Sequence, residues 1–423
     1  MDVLLAALGT NSYTPTRYDG YEIESPYFTY ALIRKHDPAK VILLLTQAAK
    51  KMHWDAERYD YKDKGDTKSH PTLRKVLEGS VYGQNRVNIP EGFPDGRDEG
   101  ELWAAFNIII EAVPENCTLI LDVTNGFRTL PMLMLLAAIY LRQAKNVTLK
   151  GIYYGAFEAK SNDDQGRDVC PVFELTQFIT LADWANAVRA FKLTGDTALL
   201  AESLSGLSET GSQERLKSAS EHLKTFATYL DLGLSLEVQA ASAQLREKLQ
   251  AAEAALAERH AAFKTLLEQV RDELESFAQA APRNLDQMKE TLKRQLRLIH
   301  WLKKKRIATA TLLTQEWIVS WEMVKQEKQK RIFEWAARKI KNPQIEALSK
   351  LRNQLAHGGW TADPLNVEEA VDTVERIIDA LQEDTVIPET APKPQPSASG
   401  EKPAPKRKPP KKKSQRGKKP KRG

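Results

Sequence analysis

The stretch TLILDVTNGFRTL, residues 118–130, joins a strand pattern directly to a helix pattern. Residues 118–124 are largely apolar, which is typical of a strand buried on both faces of a sheet. Asn125 and Gly126 are turn formers, and residues 130–143 then follow a helical pattern. A strand that feeds a helix through so short a turn predicts one unit of an open α/β sheet.

The same alternation runs through the first 180 residues. Apolar strand patterns occupy 3–8, 41–46 and 147–154, and helix patterns occupy 47–55 and 99–113. Residues 60–98 are mostly polar, with a short strand predicted at 86–89, and 172–174 is predicted as an edge strand. The fold class predicted for residues 1–180 is therefore α/β, a Rossmann-like parallel sheet covered by helices on both faces.

Polar or glycine-bearing loops follow three of these strands, and in parallel sheets ligands bind at the carboxyl ends of the strands. The sequence lacks both GxGxxG and a P-loop, so an ordinary dinucleotide or ATP site is disfavoured. Three converging loops favour a nucleotide or phosphate pocket. The alternative is that Asn125 only caps a helix and Arg128 is a surface residue. The candidate ligand contacts are Thr10, Asn11, Thr124, Asn125, Gly126 and Arg128.

Strand patterns end near residue 180, and an all-α region follows. A helix is predicted over 176–200 with a break at Gly195-Asp196, followed by a turn-rich linker at 204–211. The predicted domains are residues 1–180, a helical connector at 181–282, a helical domain at 283–385 and a disordered tail at 386–423. In that helical domain, helices are predicted over 286–304, from 343 to His357, and over 367–383, and residues 309–330 and 330–340 are predicted as one long helix or two.

Charge is divided unevenly along the chain. Residues 392–423 contain 13 Lys or Arg and one acidic residue, so the net charge of +6 hides a mildly acidic body and a basic tail. The tail is either a solvated segment or a non-specific tether for RNA or DNA. The sequence contains no apolar run long enough to predict a membrane span, and residues 1–13 are predicted to form a strand and its loop and not a signal peptide. The two cysteines are far apart in the sequence, which fits a reducing cytoplasm.

Residues 351–359, LRNQLAHGG, carry the second candidate site. On a helix, Leu348, Leu351 and Leu355 form an apolar stripe, and His357 lies roughly opposite that stripe beside a glycine stop. RNA needs no protein nucleophile, because its own 2′-OH can attack the adjacent phosphate. A histidine can then act as general acid or base, and an arginine can stabilise the charge of the phosphorane. No metal-ligand cluster is evident here. The catalytic candidates are Arg352, Asn353 and His357.

The plainer interpretation of this stretch is a surface histidine at a helix end beside a solvated arginine. Arg352 and His357 differ by about 140° around the helix, so one helix alone does not make them converge. A second copy of the helix would solve this, because a symmetric homodimer places two such faces together.

Both motifs resemble those of one family. Arg352-Asn353-Gln354-Leu355-Ala356-His357 resembles the R-x4-H motif of HEPN ribonucleases. Residues 122–128, DVTNGFR, resemble the DxTHG motif of CRISPR-associated CARF domains, and Tyr153-Tyr154-Gly155-Ala156 resembles a further CARF segment. The order of the two domains is similar to that of the ancillary ribonucleases of type III CRISPR systems.

This resemblance implies a cytoplasmic prokaryotic homodimer without a cofactor or a metal. A cyclic oligoadenylate, expected to be cyclic tetra-adenylate (cA4), would bind the CARF domains and activate cleavage of single-stranded RNA. Asn125 stands where the family motif has histidine, which puts self-cleavage of the activator in doubt. Two rivals remain: a sensor that binds the nucleotide and signals without cutting, and a toxin-like RNase whose N-terminal domain binds another nucleotide.

Overall fold

The computed structural model describes residues 1–63, 65–163, 166–206, 213–256, 261–325, 343–356 and 366–384. These residues fall into two units. The first comprises Met1–Pro282 with Lys304–Thr309, and the second comprises Arg283–Lys303 with the described residues from Ala310 onward.

The described residues contain twelve strands, and all of them lie in the first unit. The strands are β1 Asp2–Leu8, β2 Thr16–Tyr18, β3 Glu24–Ser25, β4 Lys40–Leu45, β5 Arg58–Asp63, β6 Asp66–Pro71, β7 Val87–Asn88, β8 Thr118–Asp122, β9 Thr148–Gly155, β10 Ser161–Asn162, β11 Asp168–Cys170 and β12 Val172–Glu174.

Fourteen α-helices occur in the described residues, together with a π-helical turn at Lys51–Asp55. The helices are α1 Phe28–His36, α2 Gln47–Lys50, α3 Leu73–Glu78, α4 Glu99–Ala112, α5 Thr129–Ala144, α6 Thr176–Thr194, α7 Ala198–Gly206, α8 Gln213–Asp231, α9 Ser235–Leu256, α10 Ala261–Glu275, α11 Leu285–Leu302, α12 Ile307–Lys325, α13 Pro343–Ala356 and α14 Val367–Asp384.

The main sheet has the order β12-β9-β8-β1-β4-β7, and its strands are parallel except for β12, which pairs antiparallel with β9. Strand β1 is central: Leu5 pairs with Ile42 of β4 on one side and with Leu121 of β8 on the other. The carboxyl ends of β1, β4 and β8 therefore meet at one edge of the sheet. The predicted parallel α/β fold is confirmed.

Side chains of β1 alternate between two cores because successive residues of a strand point to opposite faces. Val3, Leu5 and Ala7 pack with residues of α4 and α5, whereas Leu4 and Ala6 pack with residues of α1 and α3. Helices therefore cover both faces of the sheet. This burial explains why the strands read as continuous apolar runs.

Two features of this unit are not predicted from the sequence. Strands β5 and β6 form a separate two-stranded hairpin at the start of the polar region 60–98. Strand β6 has no apolar alternation and residues 66–69 are exposed, and in β5 only Tyr59 and Tyr61 alternate with charged residues. Helix α1 is the second feature, and it buries Phe28 and Leu32 completely against the sheet.

The rest of the first unit is helical. Gly195 ends α6 in the left-handed conformation, at the predicted break. Leu204–Gly206 of the predicted turn-rich linker continue helix α7 instead, because Leu204 is fully buried, and residues 207–212 lie outside the described chain. Arg142 of α5 makes a paired contact with Asp183 of α6 at 2.9–3.0 Å, which joins the helical region to the α/β part.

The described part of the second unit is all-helical, as predicted. Trp317 of α12 is fully buried and donates its ring N–H to the carbonyl of Leu292 in α11 at 2.6 Å. Gln315 of α12 donates to the hydroxyl of Ser349 in α13 at 2.9 Å, which fixes one face of α13. The predicted helix over 330–340 and the basic tail lie outside the described residues. Among the described helices, none is both long and apolar enough to cross a membrane.

Candidate functional site

A cavity of about 260 Å³ opens where β1, β4 and β8 end. Open α/β sheets bind ligands at this position. The wall is mixed, with apolar side chains and a few polar groups, as in most small-molecule sites. Its lining residues are Leu8, Gly9, Thr10, Asn11, Leu44, Thr46, Ala48, Phe93, Asp95, Gly126, Phe127 and Leu130.

The predicted ligand contacts divide into two groups. Thr10, Asn11 and Gly126 line the cavity, so the structure brings together two loops that are more than 100 residues apart in the chain. Three predicted contacts are not part of the lining. Of these, Arg128 is exposed, and the other two are half-buried: Thr124 and Asn125.

Asp122, at the end of β8, is completely buried. Its carboxylate accepts hydrogen bonds from the Thr29 hydroxyl at 2.6 Å and from the Thr124 amide at 3.0 Å. Burial raises the pKa of Asp122, and the hydrogen bonds from Thr29 and Thr124 oppose that rise. The Thr124 hydroxyl in turn accepts from the Gly155 amide at 2.9 Å. These contacts fix the loop after β8 to α1 and to the end of β9.

Gly126 begins the wall of the cavity that leads into α5. Its φ is +114°, a conformation that L-residues rarely adopt, and an added Cβ would lie 3.0 Å from a methyl group of Leu130. Glycine is therefore required at this position by both backbone conformation and space.

The loop after β1 is held by an aromatic cluster consisting of Tyr13, Tyr27, His53 and Tyr59. The Gly9 amide donates to the Tyr13 hydroxyl at 2.8 Å, and the Tyr59 hydroxyl donates to the Tyr13 carbonyl at 2.6 Å. Nε2 of His53 lies 2.9 Å from the Asn11 carbonyl oxygen. Burial lowers the pKa of His53 to about 4, so the ring is neutral at pH 7.

Sequence reasoning does not find His53. The residue falls in an ordinary helix pattern at 47–55, and no recognisable metal-ligand or nucleophile motif surrounds it. It lies in the π-helical turn after α2, and such turns are frequent at functional sites. Only the fold brings it next to Asn11, which is 42 residues away in the chain.

An apolar stripe lies on the outer face of α5, in the helix that Gly126 precedes. Met132, Leu136 and Tyr140 are four residues apart, and their exposed fractions are 67%, 57% and 50%. Phe106 of α4 lies 5.8 Å from the ring of Tyr140 and 5.9 Å from that of Trp103. Contiguous exposed apolar surface of this kind marks interaction sites in soluble proteins.

The second candidate site lies on α13. Arg352 is half-buried and Asn353 is exposed, and Arg352 makes no ion pair within the described part of the chain. Leu348 and Leu351 are buried, as the predicted stripe requires, whereas Leu355 in the last turn is 37% exposed. His357 lies outside the described residues, so the geometry of the Arg352–His357 pair is not part of this structure.

Comparisons with known proteins bear mainly on the first unit, and one match extends to residue 294 of the second unit. Residues 3–158 match the family model of the CARF domain of the CRISPR system endoribonuclease Csx1, and residues 180–294 match the second domain of CRISPR-associated protein MJ1674. MJ1674 of Methanocaldococcus jannaschii is 27% identical over 183 residues, which is 42% of this chain and 26% of MJ1674. The match thus spans about a quarter of that relative's length.

Among solved structures, Enterococcus italicus Csm6 bound to cyclic hexa-2′-fluoro-hexa-dAMP covers 91% of this chain and 94% of its own. The sequence identity is 13% and the TM-score is 0.35, which does not establish a shared overall arrangement. The α/β part of the first unit is thus similar to CARF domains of CRISPR-associated proteins, and it contains the cavity described above.

Proposed function

We propose that this chain is a CRISPR-associated endoribonuclease that a cyclic oligoadenylate switches on. The observation that carries the proposal is the cavity at the ends of β1, β4 and β8, inside the region that matches the CARF model. Thr10 and Asn11 offer polar groups on one wall, and Phe93 and Phe127 offer apolar surface suited to a base. In this proposal the activator is cyclic tetra-adenylate, and the protein acts in a prokaryotic cytoplasm.

The activator is larger than one cavity. Cyclic tetra-adenylate contains four nucleotides, whereas a cavity of about 260 Å³ has room for roughly one nucleotide. Two copies of the chain would provide two cavities related by a two-fold axis. The exposed stripe Met132, Leu136 and Tyr140 lies on the helix that starts at the cavity wall, so pairing through α5 would bring both cavities to one ligand.

The proposed chemistry uses Arg352, Asn353 and His357, with the 2′-OH of single-stranded RNA as nucleophile. One His357 takes the 2′-OH proton while the 2′ oxygen bonds to phosphorus. The bond from phosphorus to the 5′ oxygen breaks, and a second histidine, supplied by the partner copy, gives that oxygen a proton. Arg352 stabilises the phosphorane charge and Asn353 holds a phosphate oxygen or the histidine. The products carry a 2′,3′-cyclic phosphate and a 5′-hydroxyl.

The proposed reaction needs no metal ion, because the nucleophile, the proton carriers and the charge stabiliser all come from RNA and protein. Arg352 supports this assignment, since it is a half-buried cation on α13 without a carboxylate partner among the described residues. A non-catalytic sensor that only binds the cyclic nucleotide is a second candidate. The exposed stripe on α5 is as compatible with a sensor as with a dimeric enzyme, because a partner protein could dock on the same surface.

One assay separates the two functions. Full-length protein and the variants Arg352→Ala and His357→Ala are incubated with labelled single-stranded RNA, EDTA and cyclic tri-, tetra- or hexa-adenylate. The proposal expects cleavage by the wild type with one ring size, undiminished by EDTA, and a loss of at least about a hundredfold in each variant. Equal cleavage by the variants would contradict the site. Absence of cleavage by the wild type, together with binding of the activator measured by calorimetric titration, would favour the sensor.

A further inference from the structure

The carbonyl oxygen of Asn11 accepts a hydrogen bond from a histidine that is completely buried. Nε2 of His53 is 2.9 Å from this oxygen, and Nδ1 is 3.1 Å from the Tyr27 hydroxyl. A carbonyl oxygen only accepts, so Nε2 carries the proton and Nδ1 accepts from Tyr27. The neighbouring residues thus select one tautomer of a neutral imidazole, and both of its nitrogens are used.

The surroundings of His53 are aromatic. Its ring centroid lies 4.8 Å from that of Tyr13, 5.0 Å from that of Tyr59 and 5.7 Å from that of Tyr27. The three tyrosine rings leave the imidazole no exposed surface. Rotation of the ring would break two hydrogen bonds at once in a site without water access, so the position of the ring is strongly determined.

His53 connects two walls of the cavity. It lies in the π-helical turn that directly follows α2, and Thr46 and Ala48 at the start of that helical segment line the cavity. Its partner Asn11 belongs to the loop after the neighbouring strand β1, which supplies another part of the cavity wall. The hydrogen bond is made to the backbone of Asn11, so the side chains of Thr10 and Asn11 remain available to a ligand.

We infer that His53 is a positioning residue that sets the distance between the β1 loop and α2, and thereby the shape of the activator site. In this role His53 acts through the Asn11 carbonyl and does not contact the ligand itself. The inference about ligand affinity rests on the proposed function, whereas the inference about the loop is independent of any ligand.

The test uses three variants of the full chain. His53→Phe keeps a ring of similar size and removes both nitrogens. His53→Gln places an amide N–H near the position of Nε2 and restores the donor to Asn11. Tyr27→Phe leaves His53 and its Nε2–H bond to the Asn11 carbonyl in place and removes only the donor to Nδ1, so the ring loses one of its two hydrogen bonds.

The first measurement is amide hydrogen exchange of residues 9–13 without ligand. His53→Phe is expected to raise exchange there by about tenfold, since a buried carbonyl and a hydroxyl lose their partners. His53→Gln is expected to restore most of the protection, and Tyr27→Phe to give a smaller rise in the same segment. If His53→Phe does not fold, Tyr27→Phe carries the test. Exchange at 9–13 equal to wild type in every folded variant would overturn the inference.

The second measurement is the activator concentration that gives half-maximal RNA cleavage. It should rise about tenfold in His53→Phe and return towards wild type in His53→Gln. The maximal rate at saturating activator should stay within about twofold, because the affected groups set binding and not the reaction at α13. A fall in maximal rate alone would overturn the positioning role. If wild type responds to no cyclic oligoadenylate while exchange at 9–13 changes as expected, the proposed function fails and the loop inference stands.

Discussion

Nε2 of His53 lies 2.9 Å from the carbonyl oxygen of Asn11, which is 42 residues earlier in the chain. This contact keeps a neutral, fully buried imidazole between two loops that border the same cavity. A histidine that is buried in its neutral form also makes the stability of the fold depend on pH. Acid favours the unfolded chain, because only there can the imidazole bind a proton freely.

The first prediction concerns that pH dependence. An unfolded histidine titrates near pH 6.5, whereas burial lowers the pKa of His53 to about 4. Between these values the unfolded chain binds more protons than the folded chain, so stability is lost as pH falls from 6.5 to 4. The full difference corresponds to about 3 kcal/mol.

Urea unfolding of wild type and His53→Gln at a series of pH values checks this. Other titrating groups, such as the buried Asp122, affect both proteins alike, so the difference between the two isolates His53. The wild-type free energy of unfolding should fall relative to that of His53→Gln between pH 7 and pH 4. Parallel curves over this range would show that His53 is not a buried neutral group.

The second prediction concerns Gly126. With φ at +114° and the methyl group of Leu130 3.0 Å from an added Cβ, Gly126→Ala should destabilise the first unit by about 1–3 kcal/mol. It should also weaken activator binding, because Gly126 lines the cavity. Thermal unfolding and calorimetric titration with cyclic tetra-adenylate measure the two effects.

Gly166→Ala is the matched control for this substitution. Gly166 also has a positive φ, +70°, but no atom lies within 4 Å of an added Cβ. The free energy of unfolding of Gly166→Ala should fall by about 1 kcal/mol because of backbone strain alone, and its affinity for the activator should equal that of wild type. Equal affinities for Gly126→Ala and wild type would place the activator elsewhere.

The third prediction concerns the stripe on α5. Leu136→Arg places a charge at the centre of the proposed contact between two copies, so the dimer should dissociate and activation should be lost. Leu199→Arg on α7 is the control, since Leu199 is 52% exposed and Leu136 is 57% exposed. Sedimentation equilibrium gives the mass of each protein. A Leu136→Arg protein that stays dimeric and active would show that α5 is not part of the interface.

The fourth prediction concerns the basic tail, which lies outside the described residues. Residues 392–423 contain 13 Lys or Arg, and each phosphate contact to single-stranded RNA contributes about 0.7 to the slope of log affinity against log salt. Deletion from residue 389 should therefore reduce both the affinity and the slope.

Fluorescence anisotropy with labelled RNA provides the measurement, and both proteins carry His357→Ala so that the RNA stays intact. A tail of the same composition in shuffled order should keep the slope, because the contacts are electrostatic and do not read sequence. An unchanged slope after deletion would make the tail a solvated segment without a role in RNA binding.

The sequence predicts the α/β sheet well because its strands are buried on both faces. Continuous apolar runs at 3–8, 41–46 and 118–124 leave little choice of structure, and β1, β4 and β8 lie within them or one residue away. The hairpin β5–β6 escapes prediction for the opposite reason. Only Tyr59 and Tyr61 of β5 alternate with charged residues, and β6 exposes residues 66–69, so the apolar pattern is too short to mark a hairpin.

The cavity is only partly predictable. Topology alone places residues that follow parallel strands at the same edge of the sheet, and this is how Thr10, Asn11 and Gly126 are predicted. Thr124 shows the limit of that reasoning, because its hydroxyl accepts a hydrogen bond from Gly155 and its side chain does not line the cavity. Phe93, Asp95 and His53 reach the site through tertiary packing, which no local pattern encodes.

The most direct test of the account is the rate of RNA cleavage against activator concentration when the cavity is blocked. Ala48 is exposed and lines the cavity, so Ala48→Trp can fill the space without disturbing the core, and the exposed neighbour Gln47 provides the control Gln47→Trp. Wild type and Gln47→Trp should be activated alike by one cyclic oligoadenylate, whereas Ala48→Trp should need an activator concentration at least about tenfold higher. Cleavage without any activator, or an identical response of Ala48→Trp and wild type, would contradict it.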